Sequence, residues 1–147
     1  MKRELINEVK LAFQSHSVNE GFARSAVGAF AAQLDPTAEE LAEIKTAVSE
    51  AVTNAIVHGY RSTMGVVELT LRQYSGNLIY ISVRDKGAGI ADIGQAMQPM
   101  FTTAPDEERS GLGFSVMQSF MDKVRVKSTC GKGTTVVLEK RISRRGG

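Results

Sequence analysis

The 147-residue chain is 42% hydrophobic and 23% charged, the balance of one globular domain that buries ~68–70% of its unfolded surface, which excludes a disordered or fibrous protein. Its 18 basic and 16 acidic side chains give +2, but Lys140, Arg141, Arg144 and Arg145 supply four of the positive charges, and without them 14 basic against 16 acidic groups leave −2. A basic balance concentrated in the stretch 141–147 reads as a solvated, mobile tail, not as a folded nucleic-acid-binding face.

No apolar run nears the ~18 residues of a membrane span, and the charged opening MKRELINEVK is no signal peptide, so a cytoplasmic protein without membrane contact is expected. A lone Cys130 forms no intrachain disulfide, and His16 and His58 lack zinc-ligand spacing.

In chain order, the apolar alternation over 5–13 suits a strand, with a short helix left open by periodicity alone. Ser17-Val18-Asn19-Glu20 has the form of a capping box, and apolar residues follow at helical spacing to about Leu34. Asp35-Pro36 stops that helix, and Thr37-Ala38-Glu39-Glu40 opens a second with another capping box. The second helix is expected to end near His58-Gly59, with Gly59 as a left-handed cap. Residues 66–74 and 78–84, rich in β-branched side chains, read as a hairpin across Ser75-Gly76-Asn77.

The stretch 85–110 is long for a loop, carries glycines and prolines at 87, 89, 94, 99 and 105, and offers only a short helical possibility over 93–97. Such loops are usually lids or binding loops. A helix over 111–121 and a second hairpin, 124–128 with 134–139 across Gly131-Lys132-Gly133, complete the chain. The pattern predicts a single α+β domain, a two-layer sandwich of a mostly antiparallel mixed sheet with helices on one face.

Helix two holds the first chemical signal. With Leu41 as origin and ~100° per residue, Ile44, Val48, Ala51, Val52 and Ala55 form an apolar face, while Glu50 and Asn54 share the opposite one. A solvated face is the ordinary meaning of such a pair. Ala47, Val57 and His58 flank it, however, and make it apolar enough that another part of the chain is expected to cover it.

Two glycine-containing segments extend the pattern. Asp85-Lys86-Gly87-Ala88-Gly89 sets a carboxylate at a strand end before two glycines, which suits close backbone approach to a flat ligand whose amino hydrogens the acid accepts. Gly111-Leu112-Gly113 opens a helix directly after Arg109 and Ser110, where free amides and an arginine favour phosphate.

Other signatures fail. Gly131-Lys132-Gly133 is not a P-loop, because position 126 is Val and no Ser or Thr follows the lysine. Val83-Arg84-Asp85 lacks the histidine of a protein-kinase catalytic loop, Val116 stands where a dinucleotide fingerprint needs its third glycine, and Glu108 stands where a nucleophile elbow before Ser110 needs one.

Taken in order, Glu50-Ala51-Val52-Thr53-Asn54-Ala55-Ile56-Val57-His58-Gly59, Asp85-Lys86-Gly87-Ala88-Gly89, Gly111-Leu112-Gly113 and Gly133-Thr134-Thr135 resemble the ATP-binding boxes of the GHKL superfamily, which contains gyrase, histidine kinases and MutL. Within it, Gln98-Pro99-Met100-Phe101-Thr102-Thr103, Glu108-Arg109-Ser110-Gly111-Leu112-Gly113-Phe114 and Ser119-Phe120-Met121-Asp122 resemble the anti-sigma F family of spore-forming bacteria, which are serine-protein kinases. The likeness spans about 22–135.

The resemblance implies a Bergerat-type ATP-binding fold and a set of roles. Asn54 would hold a magnesium ion that bridges the phosphates of ATP. Asp85 would accept the adenine amino group, with Thr134 reaching the same base. Gly87 and Gly89 would let the backbone approach the nucleotide, while Arg109, Ser110, Gly111 and Gly113 would contact phosphates. Glu50 would be the general base, and Arg24 on helix one would contact a partner.

An amide oxygen is a suitable hard ligand for magnesium, and a carboxylate one helical turn away can take the proton of an attacking hydroxyl. The implied partners are a sporulation sigma factor, an anti-anti-sigma protein as substrate, and a second copy of the chain in a homodimer. Alternatives are a related stress-response anti-sigma kinase and a nucleotide-gated binding module without kinase activity. A sensor histidine kinase is disfavoured, since 147 residues leave little room for a phosphoacceptor helix pair.

Overall fold

A computed structural model describes residues 3–60, 63–88 and 113–143. Strand β1 (Leu5–Gln14) leads into α1 (Asn19–Ala32) and α2 (Ala38–Thr53), and α2 continues as a wider π-helical turn, Asn54–Gly59. Strands β2 (Val66–Tyr74) and β3 (Leu78–Asp85) follow, then α3 (Phe114–Phe120), β4 (Lys123–Thr129) and β5 (Gly133–Arg141). The sheet order is β1-β2-β3-β5-β4. Every pairing among the described strands is antiparallel, so the mixed character expected of the sheet is absent from them.

The helices lie on one face, as the composition of the strands requires. Alternate residues of a strand point to opposite sides, and one set (Leu69, Leu71, Ile79, Ile81, Val83, Val136 and Leu138) is buried against α1, α2 and α3. The helices contribute Val27, Phe30, Ile44, Val48, Val52, Phe114 and Met117 to the same core. The other face of the sheet is polar. There Glu139 is buried between Arg3 at 3.0 Å and Arg125 at 2.8 Å, and Arg3 and Arg72 each lie 5.0 Å from a tyrosine ring, Tyr74 and Tyr80.

The two capping boxes fare differently. At α2 both reciprocal bonds form, Glu40 N–H to Thr37 Oγ1 at 3.0 Å and Thr37 N–H to Glu40 Oε1 at 2.9 Å. At α1 neither does. Residues before that helix already turn, so Asn19 N–H donates to His16 O at 2.9 Å and Glu20 N–H, the amide a capping box would give to the Ser17 hydroxyl, donates to Ser17 O at 3.2 Å. Glu20 is thereby free to accept a hydrogen bond from Ser49 of α2.

Three further expectations need correction. Gly59 is not a left-handed cap, since it lies outside the positive-φ glycines; its smallness serves close approach, because a Cβ there would sit 2.7 Å from the Asp85 carboxyl group. Helix one ends at Ala32, and Leu34 packs into the core beyond it. Arg141 is the last residue of β5 and Ile142 is buried, so the solvated tail cannot begin at 141. The possible helix over 93–97 lies outside the described residues.

Candidate functional site

The face of α2 that bears Asn54 is covered in part, with Val57 left 50% exposed. Ala47 is fully buried and Asn54 is only 8% exposed, because α3 packs across α2 and brings Phe114 over it. At Asn54 the helix widens. Its N–H reaches both Ala51 O and Glu50 O, and the chain then takes a π turn, a local widening that recurs at functional sites. Asn54 thus lines a small pocket with Gly59, Val83, Asp85, Phe114 and Thr134.

The opposite wall comes from the sheet. Asp85 ends β3 in register with Thr134 of β5, and their parity puts both on the helix-covered side with Val83 and Val136. The buried Asp85 accepts Gly87 N–H at 2.9 Å. Burial pushes its carboxyl pKa above the usual aspartate value, against the opposing pull of backbone donors at Gly87 and Thr134. Thr134 Oγ1 shares a 2.9 Å hydrogen bond with Ser128 Oγ of β4, and Ser128 is its register partner.

Backbone proximity explains the glycines. A Cβ on Gly87 would lie 1.7 Å from Gly59 O, which no side chain permits. At Gly113, φ is +54° and a Cβ would lie 2.2 Å from Glu50 Oε2, so conformation and space both require glycine there.

Glu50 therefore sits under the start of α3, half covered. Burial raises its pKa above the usual glutamate value, and the Glu20 carboxylate raises it further. Glu20 in turn lies 3.8 Å from Arg24 in an i,i+4 pair. The structure thus brings Glu50, Asn54, Asp85, Gly87, Gly113 and Thr134 to one region, with Arg24 joined to it through Glu20. Gly89, Arg109, Ser110 and Gly111 lie outside the described residues.

Sequence reasoning gave no site role to Glu20, Ser128, Phe114 or Tyr60. The one local signal was the position of Tyr60, directly after His58-Gly59.

Over residues 3–140 the chain matches the family of histidine kinase-like ATPase domains. It is 59% identical over 140 residues to the anti-sigma F factor of Thermoanaerobacter sp. (strain X514), covering 95% of this chain and 96% of that protein. The chain belongs to the anti-sigma F factor family.

Other anti-sigma F factors agree: that of Geobacillus kaustophilus is 55% identical, with 94% of each chain covered, and that of Priestia megaterium 50%, with 93% of this chain and 94% of the relative covered. Among solved structures, the RsbU and RsbW domains of a Mycobacterium tuberculosis protein superpose with a TM-score of 0.70 at 19% identity, covering 95% of this chain and 34% of that one. The catalytic domain of the histidine kinase ThkA gives 0.58 at 14% identity, covering 93% and 97%. These structural likenesses establish a shared fold. A histidine kinase-like ATPase domain implies ATP binding.

No helix among the described residues is long and apolar enough to cross a membrane.

Proposed function

We propose that the chain inhibits a sporulation sigma factor and, with Mg-ATP in the α2–β3 pocket, phosphorylates a serine of an anti-anti-sigma protein. The observation that carries this reading is the convergence of Asn54, from a π turn, and Asp85, from a strand end, on one small pocket, with Glu50 packed beside Gly113 at the start of α3. Their chemistry suits the two ends of a nucleotide. The Asp85 carboxylate accepts the adenine amino group, and Thr134 assists at the same base.

Asn54 offers an amide oxygen, a hard donor that fits magnesium, while Gly87 and Gly113 let the walls of the site pack closely, against Gly59 and Glu50 respectively, and in this reading Gly87 also brings backbone near the nucleotide. Magnesium, when bound, neutralises charge on the phosphates. Gly89, Arg109, Ser110 and Gly111 complete the nucleotide contacts in this reading.

In the transfer step the serine Oγ forms a bond to the terminal phosphorus as the bond to ADP breaks, and Glu50 takes the hydroxyl proton. Positioning and charge neutralisation supply most of the acceleration. The Arg24 guanidinium, half-exposed on α1, contacts a protein partner, and two copies of the chain act together as a homodimer. The single domain carries all of these functions.

Incubation with γ-labelled ATP, magnesium and a purified anti-anti-sigma protein tests the reading. Label on a serine of the partner is the expected result. Nucleotide binding without transfer would leave a nucleotide-gated binding module in its place.

A further inference from the structure

Tyr60 has no part in the roles assigned so far, yet it is one of the few buried side chains near the pocket with a polar end. A phenol can donate one hydrogen bond and accept others, and here both capacities are used. Tyr60 Oη donates to Val66 O at 2.8 Å, at the start of β2, and accepts Lys86 N–H at 2.7 Å. Lys86 lies between Asp85 and Gly87, the two residues at the adenine end of the pocket. The neighbouring residue adds a second tie, Ala88 N–H to Gly59 O at 2.8 Å, and Gly131 N–H closes on Ala88 O at 2.6 Å.

The ring itself is held in place. Gly65 lies flat against it, so close that a Cβ there would sit 2.2 Å from Cε1. Gly65 is pinned by Ser15, through Ser15 N–H to Gly65 O at 2.9 Å and Gly65 N–H to Ser15 Oγ at 3.0 Å. Ser15 follows β1 directly and is buried. A continuous line of contacts therefore runs from the β1–α1 connection through Gly65 and Tyr60 to the backbone amide beside Asp85.

We propose that Tyr60 is a positioning residue for base recognition: its hydroxyl holds the 85–88 segment so that the Asp85 carboxylate meets the amino group of adenine. The inference rests on the nucleotide-binding reading above. It concerns only the end of the pocket that reads the base, because Tyr60 bonds to Lys86 and Val66, whereas Asn54 and Glu50 are held by α2.

Guanine carries a carbonyl where adenine carries an amino group, so a fixed carboxylate discriminates the two and a displaced one does so less well. Tyr60→Phe keeps the ring and removes the hydroxyl. ATP should bind about tenfold more weakly, the loss expected when a net hydrogen bond of ordinary strength disappears, while GTP affinity stays the same. The ATP:GTP preference then narrows about tenfold, a change that general loosening of the fold would not produce.

Calorimetric titration of wild type and variant with each nucleotide, alongside their thermal unfolding, is the test. An unchanged ATP:GTP ratio in a folded Tyr60→Phe protein overturns the role of Tyr60. A wild-type protein that binds neither nucleotide, or both equally, overturns the functional reading instead. Two measurements stand if Tyr60→Phe does not fold. Gly65→Ala displaces the ring while retaining the hydroxyl and should narrow the ratio in the same direction. In wild type the Lys86 amide should exchange slowly with solvent, and rapid exchange overturns the proposed tie.

Discussion

The two parts of the candidate site are built by opposite means. At the Asp85 end, position is fixed by the backbone: β3 and β5 hold Asp85 and Thr134 in register, and the 85–88 segment is bonded to Gly59, Tyr60 and Gly131. At the Glu50 end the side chains are half covered and electrostatics dominate, with Glu20 as a like charge and Arg24 balancing Glu20 from the surface. The first arrangement suits recognition of a rigid, flat group. The second suits a carboxylate that changes protonation during a reaction and answers to what approaches α1.

If that contrast holds, substitutions at the two ends separate into transfer effects and binding effects. Glu50→Gln should lower phosphate transfer by ~10²–10⁴-fold, the usual contribution of a general base, while ATP affinity changes less than about threefold; single-turnover kinetics beside a binding titration show both. Transfer at the wild-type rate would remove Glu50 from the chemistry. Asp85→Asn should act the other way and weaken ATP binding by ~1.5–3 kcal/mol, the range for a hydrogen bond to a charged group, read by calorimetry.

The pH dependence sharpens the same division. Burial and then Glu20 raise the Glu50 pKa, so the base loses its charge on acidification at a pH above the ordinary glutamate range, and the transfer rate should fall there. For stability the sign is reversed. A raised carboxylate pKa gives a contribution present below the unfolded pKa and lost as pH rises through the folded one, so this group favours the fold at lower pH. Glu20→Gln should move the acidic limb of the rate profile downward but not to the ordinary value, because burial remains. An unmoved limb would show that Glu20 has no influence on the base.

The smallest effect tests the two helix starts. Thr37→Ala should cost about 1 kcal/mol in a denaturant titration, since it removes a formed cap, whereas Ser17→Ala should cost less than about 0.5 kcal/mol, since its hydroxyl caps nothing. Equal losses would contradict the bonding at α1.

What was legible in the sequence follows a physical pattern. The hairpins at 75–77 and 131–133 were readable because turn residues and β-branched runs act locally, and Gly76 and Asn77 adopt the positive φ such a turn needs. Asp85 and Gly87 stood out only through their order with the other segments, since a carboxylate before a glycine at a strand end is more often a turn; the structure buries the one and packs the other on Gly59 O. The wheel of α2 placed Asn54 and Glu50 away from its first apolar face correctly, but not what covered them, since Phe114 arrives from far along the chain.

Ser17 misled because a capping pattern specifies a capacity, and the Glu20 amide it needs is already bonded to the Ser17 carbonyl. Gly59 misled for a related reason: a glycine after a helix suggests left-handed backbone, whereas here the carboxyl of Asp85 excludes any larger side chain. The place of Tyr60 after His58-Gly59 says nothing of its two bonds, which join β2 to the segment after β3.

The π turn at Asn54–Gly59 makes spacing part of the design. Losing a single residue from this segment would let the helix continue in regular form, yet would swing whatever follows by about 100° around its axis. The phenol and the carbonyl that grip the segment after β3 would then face elsewhere, with the apolar core beneath them hardly disturbed. Length in this short stretch is therefore under tighter constraint than composition, and a shortened chain would fold while losing its hold on the strand end at Asp85.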